Sequence, residues 1–552
     1  MSNLKPHEAE VTRRDFLRKG AVIGVGAATV GVGAEKAAAR QDISWDHEAD
    51  FVTIGAGTAG IAGAVSALEH GASVIMVDEN YDVGGHGLVS GGNVHLGGGT
   101  SRQRKFGIED TADMVYNDWV RFDHRDSRYS DRDLVRVFAD WNASTFEWLI
   151  KHGVVFQDNY SGPGAASTVA RQGRTVQWPV AEERVTHHPT RVGSGLVRAL
   201  ETSARRMGVQ VLLEHRMTEI VREQPFSGRV LGIVAEHRGE RVYIRATKGV
   251  LVATGGSSSN VNFRRTFDPR LTEEYQVAGE PWTRQSGDGE LAAMKIGAAL
   301  WATANQTKES GAVMSKTRYI GCKWGYSSLI WQPDSPLFDR ARASGLTIFS
   351  WQNAILVNQT GRRFWDEMDN GYEYFAACLQ DTGDTKRRNG GGPIWAIFDA
   401  EAVEREGWNP NPPMVDLEGY FFSGDTLAEL ATNIDNEYQT RGMPPAALEE
   451  TVARYNSFVD SGVDEDFGKE SPMYKIQTPP FYAAWSTPIL HDCLTGLRTN
   501  GKSQVMDYDG EVIPGLYCAG ESQGGFAQHG LGRCLVFGRI AGRVAAMDRS
   551  IA

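Results

Sequence analysis

The chain reads as an α/β protein: a twisted, mainly parallel sheet flanked by helices, interrupted by an inserted α+β domain. Three observations carry that expectation. The apolar run Asp50-Phe51-Val52-Thr53-Ile54 enters the glycine turn Gly55-Ala56-Gly57-Thr58-Ala59-Gly60. A small-residue helical stretch follows, and the second apolar run Val74-Ile75-Met76-Val77 ends in the acids Asp78 and Glu79. Much later, Val250-Leu251-Val252-Ala253-Thr254-Gly255-Gly256 and Gly515-Leu516-Tyr517-Cys518-Ala519-Gly520-Glu521 again run apolar residues into glycines, and the intervening texture is different.

The first strand–turn–helix–strand unit has the parts of a dinucleotide site. Gly55 permits the tight turn, Gly57 lets backbone approach a pyrophosphate, and Gly60 lets the helix pack on the strand. Thr58 and Ala59 open that helix, whose N-terminus offers N–H groups and positive dipole to phosphates. Asp78 stands about 23 positions after Gly55, close to the ~20 expected of an acid that binds ribose hydroxyls, and Glu79 adjoins it.

Further along, Val83 to Gly92 forms a second glycine-rich loop that includes Gly84, Gly85, Gly91 and Gly92. Residues from about 108 to 155 carry apolar positions at helical spacing. Gly193 to Met207 reads as a helix, Val209 to Leu213 as a strand, and Met217 to Ile244 as a small antiparallel meander. Ser286-Gly287-Asp288-Gly289 opens a helix through Ala298, and the chain closes with a helix from about Arg533 to Met547. The stretch from about Ala304 to Thr487 is rich in Trp, Tyr, Asn and Pro and lacks βαβ rhythm. The expected division is therefore 1–39 for a leader, 40–303 and 488–552 for a discontinuous nucleotide-binding domain, and 304–487 for a cap.

With 552 residues the chain buries a large core in at least two domains. A net charge of −12 argues against nucleic acid or an anionic membrane as a main partner. The five cysteines are scattered without CxxC or CxxCH, so no metal site, c-type haem or disulfide framework is indicated. Thr12-Arg13-Arg14-Asp15-Phe16-Leu17 precedes a Gly/Ala/Val stretch and Ala37-Ala38-Ala39. That is the pattern of a twin-arginine export signal cleaved near Ala39, with an apolar run too short and glycine-rich to span a membrane. Export of a folded protein favours a tightly held flavin over a free nicotinamide.

Taken in order, GAGTAG with Asp78, VGGHGLVSGG, VLVATGG, SGDG, ILVNQTGRRFWDE and PGLYCAGESQGGF with GLGRCLVFGRIAG resemble the FAD-dependent fumarate reductase/succinate dehydrogenase flavoprotein family, including its ketosteroid dehydrogenase branch. The resemblance spans Asp50 to Ala546. It implies a Rossmann-like, glutathione-reductase-type FAD domain with an inserted cap, substrate between cap and isoalloxazine, and hydride exchange between a substrate carbon and flavin N5. It further implies cofactor contacts at Ala253, Thr254, Gly255, Asp288, Gly520 and Glu521, and at the helix start Leu531-Gly532. His86 occupies the loop through which some members bind FAD covalently, but its spacing to Gly91-Gly92 is one residue short, and non-covalent FAD is expected.

Much of the fumarate-reducing set is missing. The substrate histidine of the cap would fall near Asn305 and the acid arginine at Gly371, and the proton relay has no counterpart around Thr347 to Ser350. His491 matches the family's substrate histidine, and Arg533 lies near the carboxylate-binding arginine. A small dicarboxylate needs two cationic clamps, because an unpaired buried carboxylate is costly. Ketosteroid dehydrogenases use tyrosines, and Tyr372 sits near one of those places, whereas the other falls at Gly524. The candidate catalytic groups are thus Tyr372, His491, His529 and Arg533, with Asp492 as a carboxylate behind a histidine. His187-His188 falls where the family lines the flavin, with loop packing an equal alternative.

The expected function is an exported FAD-dependent oxidoreductase that dehydrogenates a CH–CH bond or reduces an enone in a cyclic or aromatic, weakly charged substrate. The expected partners are a small-molecule substrate and an external quinone or cytochrome; the chain is not expected to be an integral membrane protein. Hydroxyl (CH–OH) oxidation, dicarboxylate reduction and a non-catalytic electron carrier are the alternatives.

Overall fold

The computed structural model describes residues 43–120, 130–157, 166–168, 193–302, 312–324, 339–369, 373–379, 392–528 and 530–549. The described residues from Asp46 onward form one compact unit. The leader, Asn305, Gly371, Tyr372, the His187-His188 pair and His529 lie outside the described residues.

The first unit is β1 (His47–Ile54), α1 (Thr58–Glu69) and β2 (Val74–Val77). After it come α2 (Arg132–Lys151), α3 (Gly193–Arg206) and β3 (Gln210–Leu212), then the meander β4 (Arg216–Gln224), β5 (Ser227–His237) and β6 (Glu240–Val252). A short α4 (Asp288–Met294) follows. The next sheet uses β7 (Ile355–Asn358), β8 (Ile394–Phe398), β9 (Phe421–Gly424) and β10 (Phe481–Trp485), and the chain returns through β11 (Ile489–Cys493), β12 (Gln504–Met506), β13 (Val512–Cys518) and α5 (Leu531–Met547).

The main sheet has eight strands in the path β12-β13-β6-β1-β2-β3, with β5 on β6 and β4 on β5. β1 lies parallel between β2 and β6, and β13 lies parallel on the far side of β6. Both faces of this sheet are covered, which explains the unbroken apolar runs of its strands. Phe51 and Met76 pack with Phe138, Phe526 and Phe537 on one face. The alternate residues Val52, Ile54, Ile75 and Val77 pack with Ile233, Val250 and Leu516 on the other.

β6 joins the meander to the VLVATGG run: its first half pairs with β5 and its last residues pair with β13. One sequence expectation shifts. The helix after Gly287 ends at Met294 rather than Ala298, where Gly297 takes a φ of +100° and turns the chain.

The second sheet is antiparallel throughout, in the order β7-β8-β10-β9. Alternate side chains again feed two cores: Leu356, Ala396 and Phe398 on one face, and Ile355, Val357, Trp395 and Ile397 on the other. The aromatic texture of this region is largely core. Trp351 and Tyr374 are buried in it, Trp365 packs against it, and Trp395 meets Trp485 edge-on at 5.6 Å. Tyr326 and Trp331 lie outside the described residues.

The Gly-Arg-Arg segment after β7 also serves structure. Arg363 donates to both oxygens of Glu367 at 2.8 Å and to Asp464 at 2.9 Å, while Lys469 Nζ stands 3.3 Å from Glu367. Glu367 is fully buried, and Lys469 caps the backbone carbonyls of Trp351 and Ala354. Burial works to raise the Glu367 carboxyl, yet the charges of Arg363 and Lys469 override it and hold it at about 2.

Removing one partner of such a cluster leaves uncompensated buried charge, so Glu367→Ala is expected to cost about 3–5 kcal/mol in denaturant unfolding. Because the folded value lies below the usual 4.5, the contribution of Glu367 is complete above about pH 4.5 and is lost as pH falls through 2. The stability gap between wild type and Glu367→Gln is therefore expected to narrow across that window.

Candidate functional site

The carboxyl ends of β1, β2, β6 and β13 converge on one cavity of about 520 Å³, the position at which open parallel sheets bind ligands. Its seat is the turn after β1. Gly55 has a φ of +99°, and a Cβ there would stand 2.3 Å from the Ala253 carbonyl oxygen. At Gly60 a Cβ would meet the Gly55 oxygen at 1.9 Å, so the helix can sit this close only with glycine. A Cβ on Gly57, which lines the cavity, would meet no protein atom within 4 Å. Next to it, Thr58 Oγ1 is buried without a hydrogen-bond partner among the described residues. Open space beside a helix N-terminus and an orphaned hydroxyl are what a bound pyrophosphate fills.

Asp78 and Glu79 both reach the cavity. Asp78 accepts from the backbone N–H of Ala56 at 2.6 Å and of Asn80 at 2.8 Å, so it pins the glycine turn as well as facing the cavity. Burial lifts its carboxyl to about 6 against the pull of those two donors. Glu79 is raised by burial and then by Asp288, while Arg216, Arg284 and Arg340 pull it down, which gathers the cavity's arginines at this end. Arg216 forks onto Asp288 at 2.8 and 3.1 Å.

Gly85, Gly91, Gly92, Ala253, Thr254, Gly255, Gly520 and Glu521 line the same space, as do Ala59 and Leu531. Gly60, Gly84 and Gly532 do not, and they stand behind the wall. Gly84 joins the two glycine loops by donating to the Ala56 carbonyl. A Cβ on Gly532 would press to 2.8 Å from the His95 carbonyl. Several groups absent from the sequence expectation complete the wall. Ser522 Oγ receives the N–H of Gly255 at 3.2 Å and contacts Thr254 Oγ1 at 3.0 Å, tying β6 to β13. Trp282 donates to the Gly85 carbonyl, and Asn80 donates to the carbonyl of Trp282. Their signal is faint: Pro281-Trp282-Thr283-Arg284-Gln285 stands immediately before the SGDG motif.

Among the catalytic candidates, His491 lines the cavity with its ring edge-on to His86 at 6.1 Å. Its Nδ1 is 2.8 Å from Asp492 Oδ2, a carboxylate contact that orients the ring. Arg533 does not line the cavity. It is fully buried and donates to the carbonyls of Phe526 at 2.8 Å and Cys493 at 3.1 Å. Its backbone N–H is taken by Gln528, so the start of α5 offers the cavity Gly530 and Leu531 instead.

Two substitutions separate seat from scaffold. Gly57→Ala places its methyl in the cavity and is expected to leave apoprotein melting unchanged while weakening FAD binding at least tenfold in a fluorescence titration. Gly60→Ala forces α1 off the turn and is expected to lower the melting temperature of the apoprotein itself.

The model of the family described as FAD binding domain matches residues 50–532. A probable fumarate reductase, Ifc3, of Shewanella frigidimarina is 27% identical, covering 90% of this chain and 74% of that protein. The digoxin reductase of Eggerthella lenta is 26% identical over 98% of each chain. The crystal structure of a 3-ketosteroid delta1-dehydrogenase from Sterolibacterium denitrificans superposes with a TM-score of 0.66 at 21% identity, covering 91% of this chain and all of that one (100%), a likeness of fold. The matched span contains every residue that lines the cavity except Cys534. The chain belongs to the FAD-binding family of fumarate reductase/succinate dehydrogenase flavoproteins, a Rossmann-like FAD domain with an inserted α+β cap, and is an FAD-dependent oxidoreductase.

Proposed function

We propose that the protein exchanges a hydride with a carbon of a cyclic, weakly charged substrate, dehydrogenating a CH–CH bond next to a ketone or reducing the corresponding enone. Bound FAD supplies the two-electron hydride chemistry. The observation that carries the reading is Arg533. It is the residue nearest to the carboxylate clamp of dicarboxylate reductases, and here it stands behind the wall and donates to two backbone carbonyls. The cavity's arginines stand instead around Glu79. A dicarboxylate at the His491 wall would then lack paired cations among the described residues, at a cost of several kcal/mol. Similarity to a reductase named for digoxin over nearly the whole chain supports a larger, cyclic substrate.

The chain's own residues divide the remaining work. The glycine turns hold backbone against the cofactor, Asp78 fixes the turn, and His491 handles the proton, oriented by Asp492. The same histidine–carboxylate contact favours hydroxyl oxidation as the second reading, because it suits an O–H proton equally well. Among the described residues, no helix is long and apolar enough to cross a membrane. We further propose export by the twin-arginine route and electron exchange with an external quinone or cytochrome.

The test is turnover of holoenzyme with reduced viologen against cyclic enones and fumarate. Enone reduction well above the fumarate rate is expected, and rapid fumarate turnover with no enone activity would overturn the reading. His491→Gln is expected to lower kcat by about 10²–10⁴-fold with FAD retained. Acid precipitation is expected to release all the flavin into the supernatant, as for a non-covalent cofactor; yellow, flavin-bearing precipitate would contradict this.

A further inference from the structure

β11 places two consecutive residues, His491 and Asp492, on the cavity wall. In a regular strand successive side chains point to opposite faces, so neighbours do not share a wall. The backbone register explains the exception. β11 pairs antiparallel with the strand Ala312–Ser315 of the insert. Ile489 stands opposite Ser315 and Leu490 opposite Met314, but Asp492 then stands opposite Val313 and Cys493 opposite Ala312. His491 is skipped. Two residues of β11 thus oppose one of the insert strand, a β-bulge that throws the pleat out of step and re-aims a side chain. The imidazole and the carboxylate fall on the same side, with His491 Nδ1 2.8 Å from Asp492 Oδ2.

β11 is anchored on both sides of the skipped residue. Before it, Leu490 donates its N–H to the Gln276 carbonyl at 2.8 Å and accepts from the Ala278 N–H at 2.7 Å. After it, the Cys493 N–H reaches Glu521 Oε2 at 3.4 Å. With β11 fixed at both ends of the bulge, the number of residues in the facing strand decides the register. One more residue there would oppose His491, restore the alternation and turn His491 and Asp492 to opposite faces.

We propose that the insert strand Ala312–Ser315 is a positioning element of the active site: it holds β11 one residue out of step and so sets His491 beside Asp492. Val313 acts through its backbone, as the single residue opposite the pair. The catalytic consequence rests on the reading above, in which His491 handles the proton. A histidine moves a proton only from within hydrogen-bond reach and from a fixed direction. Here a strand of the insert sets that direction. The register of the insert is thereby part of the catalytic geometry, and a slip of one residue separates the two groups.

Single cysteines read the geometry. Cys534→Ser removes the partly exposed thiol of the cavity wall. In that background His491→Cys and Asp492→Cys are each expected to react with a small methylthiolating reagent in the apoprotein. Reaction at only one of the two positions would overturn the proposal without any further variant. Asp492→Asn is expected to lower kcat by about tenfold or more with KM and FAD affinity kept; an unchanged kcat would overturn the catalytic role of the pair. One alanine inserted between Val313 and Met314 equalises the strands. That variant is expected to lose labelling at one position, to retain FAD, and to show no further fall in kcat when Asp492→Asn is added. Labelling at both positions, or an undiminished effect of Asp492→Asn, would overturn the role of the insert. The kcat ratios are taken on whichever substrate, enone or fumarate, the holoenzyme turns over. Rapid fumarate turnover would therefore strike the proposed substrate and leave these outcomes standing.

Discussion

The cofactor end of the molecule depends on one close approach. α1 lies against the turn after β1 so tightly that a single methyl at Gly60 would overlap the Gly55 carbonyl. That distance aims the first N–H groups of the helix and the unpartnered Thr58 hydroxyl at the same space. Asp78 holds the turn from the neighbouring strand through the Ala56 N–H, and β6 closes it from the other side, with the Ala253 carbonyl next to Gly55. Three parallel strands thus fix one loop. The converging ends of the remaining elements then decide what else faces the cavity.

The molecule treats buried charge in two ways. In the Arg363–Glu367–Lys469 cluster each charge meets an opposite one, and the acid stays ionised far below its usual range. At the cavity wall stand two acids, Asp492 and Glu521, with the buried Arg533 and His491 acting on Glu521 from nearby. Burial, and then the charge of Asp492, push Glu521 well above the usual carboxylate range. The first arrangement gives a rigid scaffold. The second leaves a buried carboxyl at the cavity wall that favours its neutral form.

The parallel core and the cofactor seat were legible in the sequence because each part obeys a short-range rule. Glycine spacing reports backbone approach, and unbroken apolar runs report strands covered on both faces. The role of Ser522 or Trp282 was not legible, because their partners lie over 190 residues away in sequence. The aromatic wealth of the cap was legible as composition but ambiguous in purpose. Trp351, Tyr374, Trp395 and Trp485 fill cores, as large apolar rings do by default. Arg533 shows the same limit: motif position places it near the site, while its hydrogen bonds turn it to the backbone.

The central claim is that this flavin site works on carbon in a weakly charged ring and not on a dicarboxylate. The most direct measurement is the anaerobic flavin spectrum of oxidised holoenzyme mixed with saturated cyclic ketones or with succinate. The account predicts bleaching by a cyclic ketone, slowed in His491→Gln, and none by succinate. Bleaching by succinate, with cyclic ketones inert, would contradict it.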